Sequence, residues 1–342
     1  MLSMNINLLL QFILGIAALI FLHELGHFIA ARLMHVEVEE FGIGFPPRLV
    51  KLFEHNGTEY TLNWIPLGGF VRPKGENDPS IPGGLAAANP WVRLTVLFAG
   101  PFTNLVVGVL LAILFLYSNG EQVPSVKYTD PGSPAAVAGL MPGDVFLEVG
   151  NQPIYSVSKL LEMVDNHLGQ PTQIVVDRNG QKVTVELVPR AHPPEGQGAM
   201  GVGLDYIDRP VPLSSAIYHG ALVCYDTAHS MLTLPIKMLQ GQTTPQEGRL
   251  VGYKGMYDIY ARVREPIWFF SVISISLGLM NLLPIPALDG GRIFLTLPEI
   301  LIRRRIPPEY ETVIHMIGFA VLLLLLIYIN LQDFINPLQF PN

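Results

Sequence analysis

Apolar residues along this chain gather in a few long runs instead of recurring at the short period of a soluble core. Four windows approach the roughly 20 apolar residues that crossing a bilayer takes: 8–31, 94–117, 267–283 and 313–331. The third is the shortest and runs into Pro284-Ile285-Pro286, where a regular helix cannot continue, so it is expected to unwind near its end. Irregular backbone at that depth is tolerated only against protein or a wet cavity. No basic residue precedes the first run, which reads as a retained span and not a removable leader.

Between the runs the pattern changes. Asn56-Gly57 is a hairpin signal, and Thr58-Glu59-Tyr60-Thr61-Leu62-Asn63-Trp64 alternates as a half-buried strand does. Gly42-Ile43-Gly44-Phe45 and Leu67-Gly68-Gly69-Phe70 flank it, and glycines beside strands let another backbone approach. This β segment offers either an edge for an unwound peptide, with Gly68 and Gly69 in substrate binding, or a plain cap on the helices. The Gly-, Pro- and Ala-rich stretch 75–90 reads as a mobile loop.

From about 120 the chain resembles a small soluble domain: a short helix at Ser133-Pro134-Ala135-Ala136, a turn through Gly139 and Gly143-Asp144, a strand at 145–149, an amphipathic helix at 156–168, and strands at 172–177 and 182–188 joined by Asn179-Gly180. One more strand is expected at 198–205. The stretch 213–239 is helical in pattern but carries His219, Asp226, His229 and Lys237, which suits an interfacial helix.

Composition fits a bilayer protein. Half of the 342 residues are hydrophobic and 14% are charged, against about a quarter in ordinary soluble domains. A net charge of -7 argues against nucleic acid, since no basic stripe exists to neutralise phosphates. Cys224 is alone, so no intrachain disulfide forms. Lys and Arg cluster in the connections after the first and third runs, at Arg32 to Arg93 and at Arg292 to Arg305. By the positive-inside rule those connections are cytoplasmic, and both termini and the 119–190 domain are extracytoplasmic.

The chemistry lies in the first run, where His23-Glu24-Leu25-Gly26-His27 puts two imidazoles on one helix face with a carboxylate one step round. That spacing suits zinc, with Glu24 placed to take a proton from water held there. Ionisable groups at bilayer depth cost roughly 2.5 to 3.5 kcal/mol each on insertion scales, so their presence implies a task. A third ligand is needed, and Asp289 is the candidate. Runs one and three cross in the same direction, and each carries its ionisable group just before cytoplasmic arginine: His27 before Arg32, Asp289 before Arg292. The plainer reading of Asp289 is a helix cap. Asn281 could donate to a developing oxyanion.

Taken together, His-Glu-Leu-Gly-His, the Gly-rich β segment, Ala99-Gly100-Pro101-x-x-Asn104 and Asn281-x-x-Pro284-x-x-x-Leu288-Asp289-Gly290 resemble the site-2-protease-type intramembrane zinc metallopeptidases of the RseP-like kind. The run Ser133-Pro134-Ala135 to Gly143-Asp144 resembles a PDZ domain. The resemblance implies a polytopic α-helical membrane protein of about four transmembrane helices with a cytoplasmic-side β segment and one extracytoplasmic PDZ domain. Its parts would be 1–35, 36–91, 92–118, 119–190, 191–265, 266–292 and 293–342. It further implies Zn2+ on His23, His27 and Asp289, Glu24 as general base and acid, Asn281 assisting substrate, and a bacterial inner-membrane location. Expected partners are transmembrane substrates already trimmed by another protease, such as anti-sigma factors or signal-peptide remnants, with the PDZ domain as gate. Gly252-Tyr253-Lys254-Gly255-Met256 departs from the Gly-Pro-x-Gly-Ile-like segment usual before the third span. Two rival readings are a metal transporter and a non-catalytic PDZ scaffold.

Overall fold

A computed structural model describes residues 5–194, 196–241, 249–263, 265–302 and 306–338. Arg303, Arg304 and Arg305, used above for orientation, lie outside the described residues. In chain order the elements are α1 (Ile6–Leu33), β1 (Val38–His55), β2 (Thr58–Pro73), α2 (Pro90–Asn119), β3 (Glu121–Thr129), α3 (Pro134–Val137), β4 (Val145–Val149), β5 (Gln152–Pro153) and α4 (Val157–Asp165). They continue with β6 (Thr172–Arg178), β7 (Gln181–Leu187), β8 (Val202–Arg209), α5 (Leu213–Leu239), α6 (Tyr253–Tyr260), α7 (Pro266–Leu282), α8 (Asp289–Ile302) and α9 (Pro308–Ile335). Two compact units result, Met1–Ile113 with Tyr218–Asn342, and Leu114–Ile217.

Among the described residues three helices, α1, α2 and α9, are long and apolar enough to cross a membrane, while α7 is a shorter apolar helix of 17 residues. The arginine-bearing connection after α7 is mostly the helix α8. Within α9 only Asp333 is buried, so its apolar surface is left for lipid. Asp333 accepts the N–H groups of Gly252 at 2.8 Å and Gly255 at 3.0 Å and a bond from Arg249 at 2.9 Å. It thereby satisfies two of the N-terminal donors of α6, while Asn330 Oδ1 accepts a third from Tyr253 at 3.0 Å.

Helix α2 is the spine of the first unit. A Cβ on Gly26 of α1 would lie 2.3 Å from Thr103 Oγ1 and 2.6 Å from the Ala99 carbonyl, so these helices touch backbone to backbone. On its other side, Ser271 and Ser274 of α7 donate to the carbonyls of Gly108 and Asn104, each at 2.8 Å. Small residues and interhelical hydrogen bonds are how helices associate where burial from water is no drive.

The hairpin β1–β2 turns at Asn56 and Gly57, both at positive φ, as a type I′ turn requires. Its pairing is doubled. Glu40, Phe41, Gly42 and Ile43 pair with Glu59 to Leu62 on one side and with Gly69 to Arg72 on the other. The two strands therefore make four segments in the order 69–73, 38–43, 58–63 and 48–55. The buried Glu40 carboxylate is satisfied by Arg48, Arg72 and Thr61. The stretch after β2, expected as a mobile loop, is folded. Leu85 and Ala86 donate to the carbonyls of Lys74 and Gly75 at 2.9 and 3.1 Å, and Leu85 is buried with Val36, Val38 and Val96.

The second unit is a six-stranded antiparallel sheet, ordered β7-β6-β4-β3-β8 with β5 on β4. Strand β8 pairs along β3, so the sheet runs past residue 190, the end expected for this domain. Leu160, Met163 and Val164 form the buried stripe of α4 against Phe146, Ile174 and Val176, the spacing of an amphipathic helix. Ser133 caps α3. Asp144 accepts the Met141 N–H at 2.8 Å and pairs with Arg178. Burial works against its charge, but these partners outweigh burial and hold the carboxyl below its usual range.

Two outcomes follow from this packing. Substituting Gly26→Ala forces a methyl onto Thr103 and the Ala99 carbonyl and should cost about 1–3 kcal/mol, read as a lower unfolding temperature in detergent. Glu121, opposite Arg209, has its carboxyl pushed up to about 7 from 4.5 by burial, which the Arg209 charge only partly offsets. Between those values the folded state holds a proton that the unfolded state lacks, so stability falls as pH rises. Hydrogen exchange of the β4 and β6 amides in the full-length protein should show that fall, and Glu121→Gln should flatten it.

Candidate metal centre

The His-Glu-x-x-His segment lies within α1, which places His23 and His27 on the buried face toward α2 and Glu24 beside them. Asp289 comes from the other end of the unit. Helix α7 stops at Leu282, residues 283–288 form turns, and Asp289 opens α8. Gly290 and Gly291 are required here, since a Cβ on either would meet the Leu283 or Ile285 carbonyl at 2.1 or 2.4 Å. Ala287 holds a positive φ of 75°, and its N–H donates to His315 Nδ1 of α9 at 2.9 Å.

The topology brings three atoms together. His23 Nε2 is 3.1 Å from His27 Nε2 and 3.1 Å from Asp289 Oδ2, and His27 Nε2 is 3.3 Å from the same oxygen. Ligands at the usual 2.0–2.1 Å from a tetrahedral zinc stand about 3.3–3.4 Å apart, so the triangle fits such an ion. His27 Nδ1 donates to the Val96 carbonyl at 2.7 Å. In the neutral ring Nε2 then carries a lone pair, aimed at another ring nitrogen and a carboxylate, an arrangement that calls for a cation or a proton. Both imidazoles are buried and Asp289 is half-buried. Gly100 of α2 permits this, since a Cβ there would sit 2.2 Å from His27 Nε2.

A cavity of about 310 Å³ opens onto the cluster, lined among others by Glu24, Phe70, Val71, Glu76, Asn281 and Arg292. Glu24 Oε2 accepts the Val71 N–H at 3.2 Å, which ties it to the outer segment of the β sheet. Asn281 reaches the cavity while one amide hydrogen is donated to the Leu277 carbonyl at 3.0 Å. Gly68 and Gly69 are packed elsewhere. A Cβ on Gly68 would meet Ile20 at 2.4 Å, and one on Gly69 would meet the Gly42 carbonyl at 2.8 Å.

Sequence reasoning passed over several residues here. Arg292 served there only as a marker of orientation, yet it lines the cavity and pairs with Glu76, which lies in the stretch taken for a loop. His315 stands in the fourth apolar run, where an ionisable group is a signal of the same kind as His23, but nothing in the sequence names its partner; the Val96 carbonyl, a main-chain group on a helix, leaves no pattern.

The sequence profile of peptidase family M50 matches residues 11–325. A protein of Clostridium perfringens described as a zinc metalloprotease is 32% identical over 337 residues, covering 95% of this chain and 98% of its own. One of Campylobacter jejuni with the same description is 32% identical, covering 94% and 91%. The metalloprotease MmpA of Caulobacter vibrioides is 28% identical, covering 95% of each. Apolar helices, a His-His-Asp cluster able to hold a metal and a match across nearly the whole length agree: the chain belongs to peptidase family M50, the site-2-protease-like zinc metalloproteases.

Proposed function

We propose that this chain is an intramembrane zinc endopeptidase that hydrolyses peptide bonds within or beside the transmembrane helices of other proteins. The observation that carries the reading is the triangle of His23, His27 and Asp289 with Glu24 on the same cavity, at an apolar helix bundle. The donor set suits zinc, and the relatives described as zinc metalloproteases support that choice. When bound, zinc supplies Lewis acidity for the scissile carbonyl and lowers the pKa of water toward neutrality.

The remaining work falls to side chains and backbone. Glu24 takes a proton from the attacking water as its oxygen bonds to the scissile carbon. As the C–N bond breaks, Glu24 returns that proton to the leaving amine. A substrate helix hides its carbonyls in its own hydrogen bonds and must unwind to be cut. Segment 69–73 is at the edge of the β sheet and supplies Phe70, Val71 and Pro73 to the cavity, so an unwound chain can pair there as an added strand. Gly68 and Gly69 serve substrate by letting this segment lie close to α1 and β1. The second hydrogen of the Asn281 amide is available to the developing oxyanion.

In this reading α7 is a fourth span, both termini face outward, and the site lies near the cytoplasmic face of a bacterial inner membrane. The unit Leu114–Ile217 acts as a PDZ domain that admits substrates already trimmed by another protease, of the anti-sigma-factor or signal-peptide class.

The test is cleavage of a model transmembrane substrate in detergent, read beside metal content. Glu24→Gln should keep zinc and lose about 10²–10⁴-fold in rate. Asp289→Ala should lose both zinc and activity. Undiminished cutting by either variant overturns the reading, and metal flux into sealed vesicles without cleavage would replace it with a transporter.

A further inference from the structure

Each imidazole at the centre turns Nε2 toward the Asp289 oxygen and leaves Nδ1 to be held by something else. For His27 that partner is the Val96 carbonyl of α2. For His23 it is the side-chain amide of Asn104, two turns further along the same helix, with Nδ2 at 3.4 Å from Nδ1. Asn104 is 1% exposed, and its Oδ1 is buried with no hydrogen-bond partner.

Leaving a buried carbonyl oxygen unpaired costs about 1–3 kcal/mol. The contact that the nitrogen does make is long, and it works against ligation. If Nδ1 of His23 accepted an amide hydrogen, the ring proton would sit on Nε2, where the lone pair for a metal is needed. A half-turn of the amide exchanges its oxygen and nitrogen and removes the conflict with ligation. Oδ1 then faces Nδ1–H and gains a donor, and Nε2 is left as a free base. The main chain at this position stays in place meanwhile, since the Asn104 carbonyl accepts from Ser274 Oγ at 2.8 Å.

We propose that Asn104 is a positioning residue for the metal centre: with the ion bound, its Oδ1 accepts the Nδ1–H of His23 and fixes the tautomer and ring plane that ligation requires. Helix α2 then orients both imidazoles, His27 through a main-chain oxygen and His23 through a side-chain oxygen. This inference rests on reading His23, His27 and Asp289 as a metal site.

The experiment measures zinc affinity of the full-length, detergent-solubilised protein by competition with a chelator, and the visible spectrum of the Co2+ form. Loss of an outer partner of a ligating histidine typically weakens metal binding 10–100-fold, and Asn104→Ala should fall in that range with a shifted cobalt spectrum. Asn104→Asp still offers an acceptor oxygen, so it should bind within about threefold of the native protein. A merely structural role would not be rescued in this way. Native affinity in Asn104→Ala, or an Asn104→Asp protein as weak as Asn104→Ala, overturns the proposal. Should Asn104→Ala not accumulate in membranes, Asn104→Asp decides alone: retained affinity supports the assignment, and a tenfold loss overturns it. Asp289→Ala is the reference. If the native protein binds zinc no better than that variant, the metal-site reading itself falls, and not only the part given to Asn104.

Discussion

Two ring nitrogens and a carboxylate oxygen stand within 3.3 Å of one another among apolar helices, and the rest of the first unit exists on terms set by that crowding. In a medium that screens charge poorly, such donors repel unless a cation or proton lies among them. Each neighbouring element answers some part of this demand. Helix α1 supplies both imidazoles from one face. The turn before α8 delivers the carboxylate, and α2 holds the ring nitrogens that point away.

The glycines follow from the same demand. Gly100 gives room for the His27 ring, and Gly290 and Gly291 let the Asp289 turn fold back on its own carbonyls. A methyl at Gly100 would collide with the His27 ring, and one at Gly290 or Gly291 with the carbonyls beneath the turn, so the ring or the turn would have to shift. The β sheet is bound to the site less directly, through one main-chain N–H at Val71 held by Glu24. That single bond joins the segment offered to substrate with the group offered to water.

What was legible in the sequence was local. His23 and His27 declared themselves because four residues on a helix make just over one turn, and Asp289 because that pair needs a third ligand and the run before it crosses in the same direction; by itself it reads as a helix cap. The second unit was legible from its turns: Asn179-Gly180 and the glycines at 139 and 143 adopt the positive φ that they advertise. What was hidden depends on which distant surfaces meet. Alternation marks a strand but not its neighbours, so the double pairing of 40–43 left no trace. Residues 75–90 have the composition of a loop, and the two buried apolar side chains, Leu85 and Ala86, are too few to show a period. Asn104 stands in the sequence only as the end of the Ala-Gly-Pro-x-x-Asn run, and only the fold puts His23 beside it.

The centre is mechanically uneven. Its two imidazoles stand on one long helix, α1, which is in backbone contact with α2 at Gly26. Its carboxylate is carried by six non-helical residues, one of them an alanine in left-handed geometry braced from α9 by His315. A shift of Asp289 that spares the histidine pair therefore works against this turn and its His315 brace. The acid, and not the bases, is the ligand whose distance can be tuned from a remote part of the bundle.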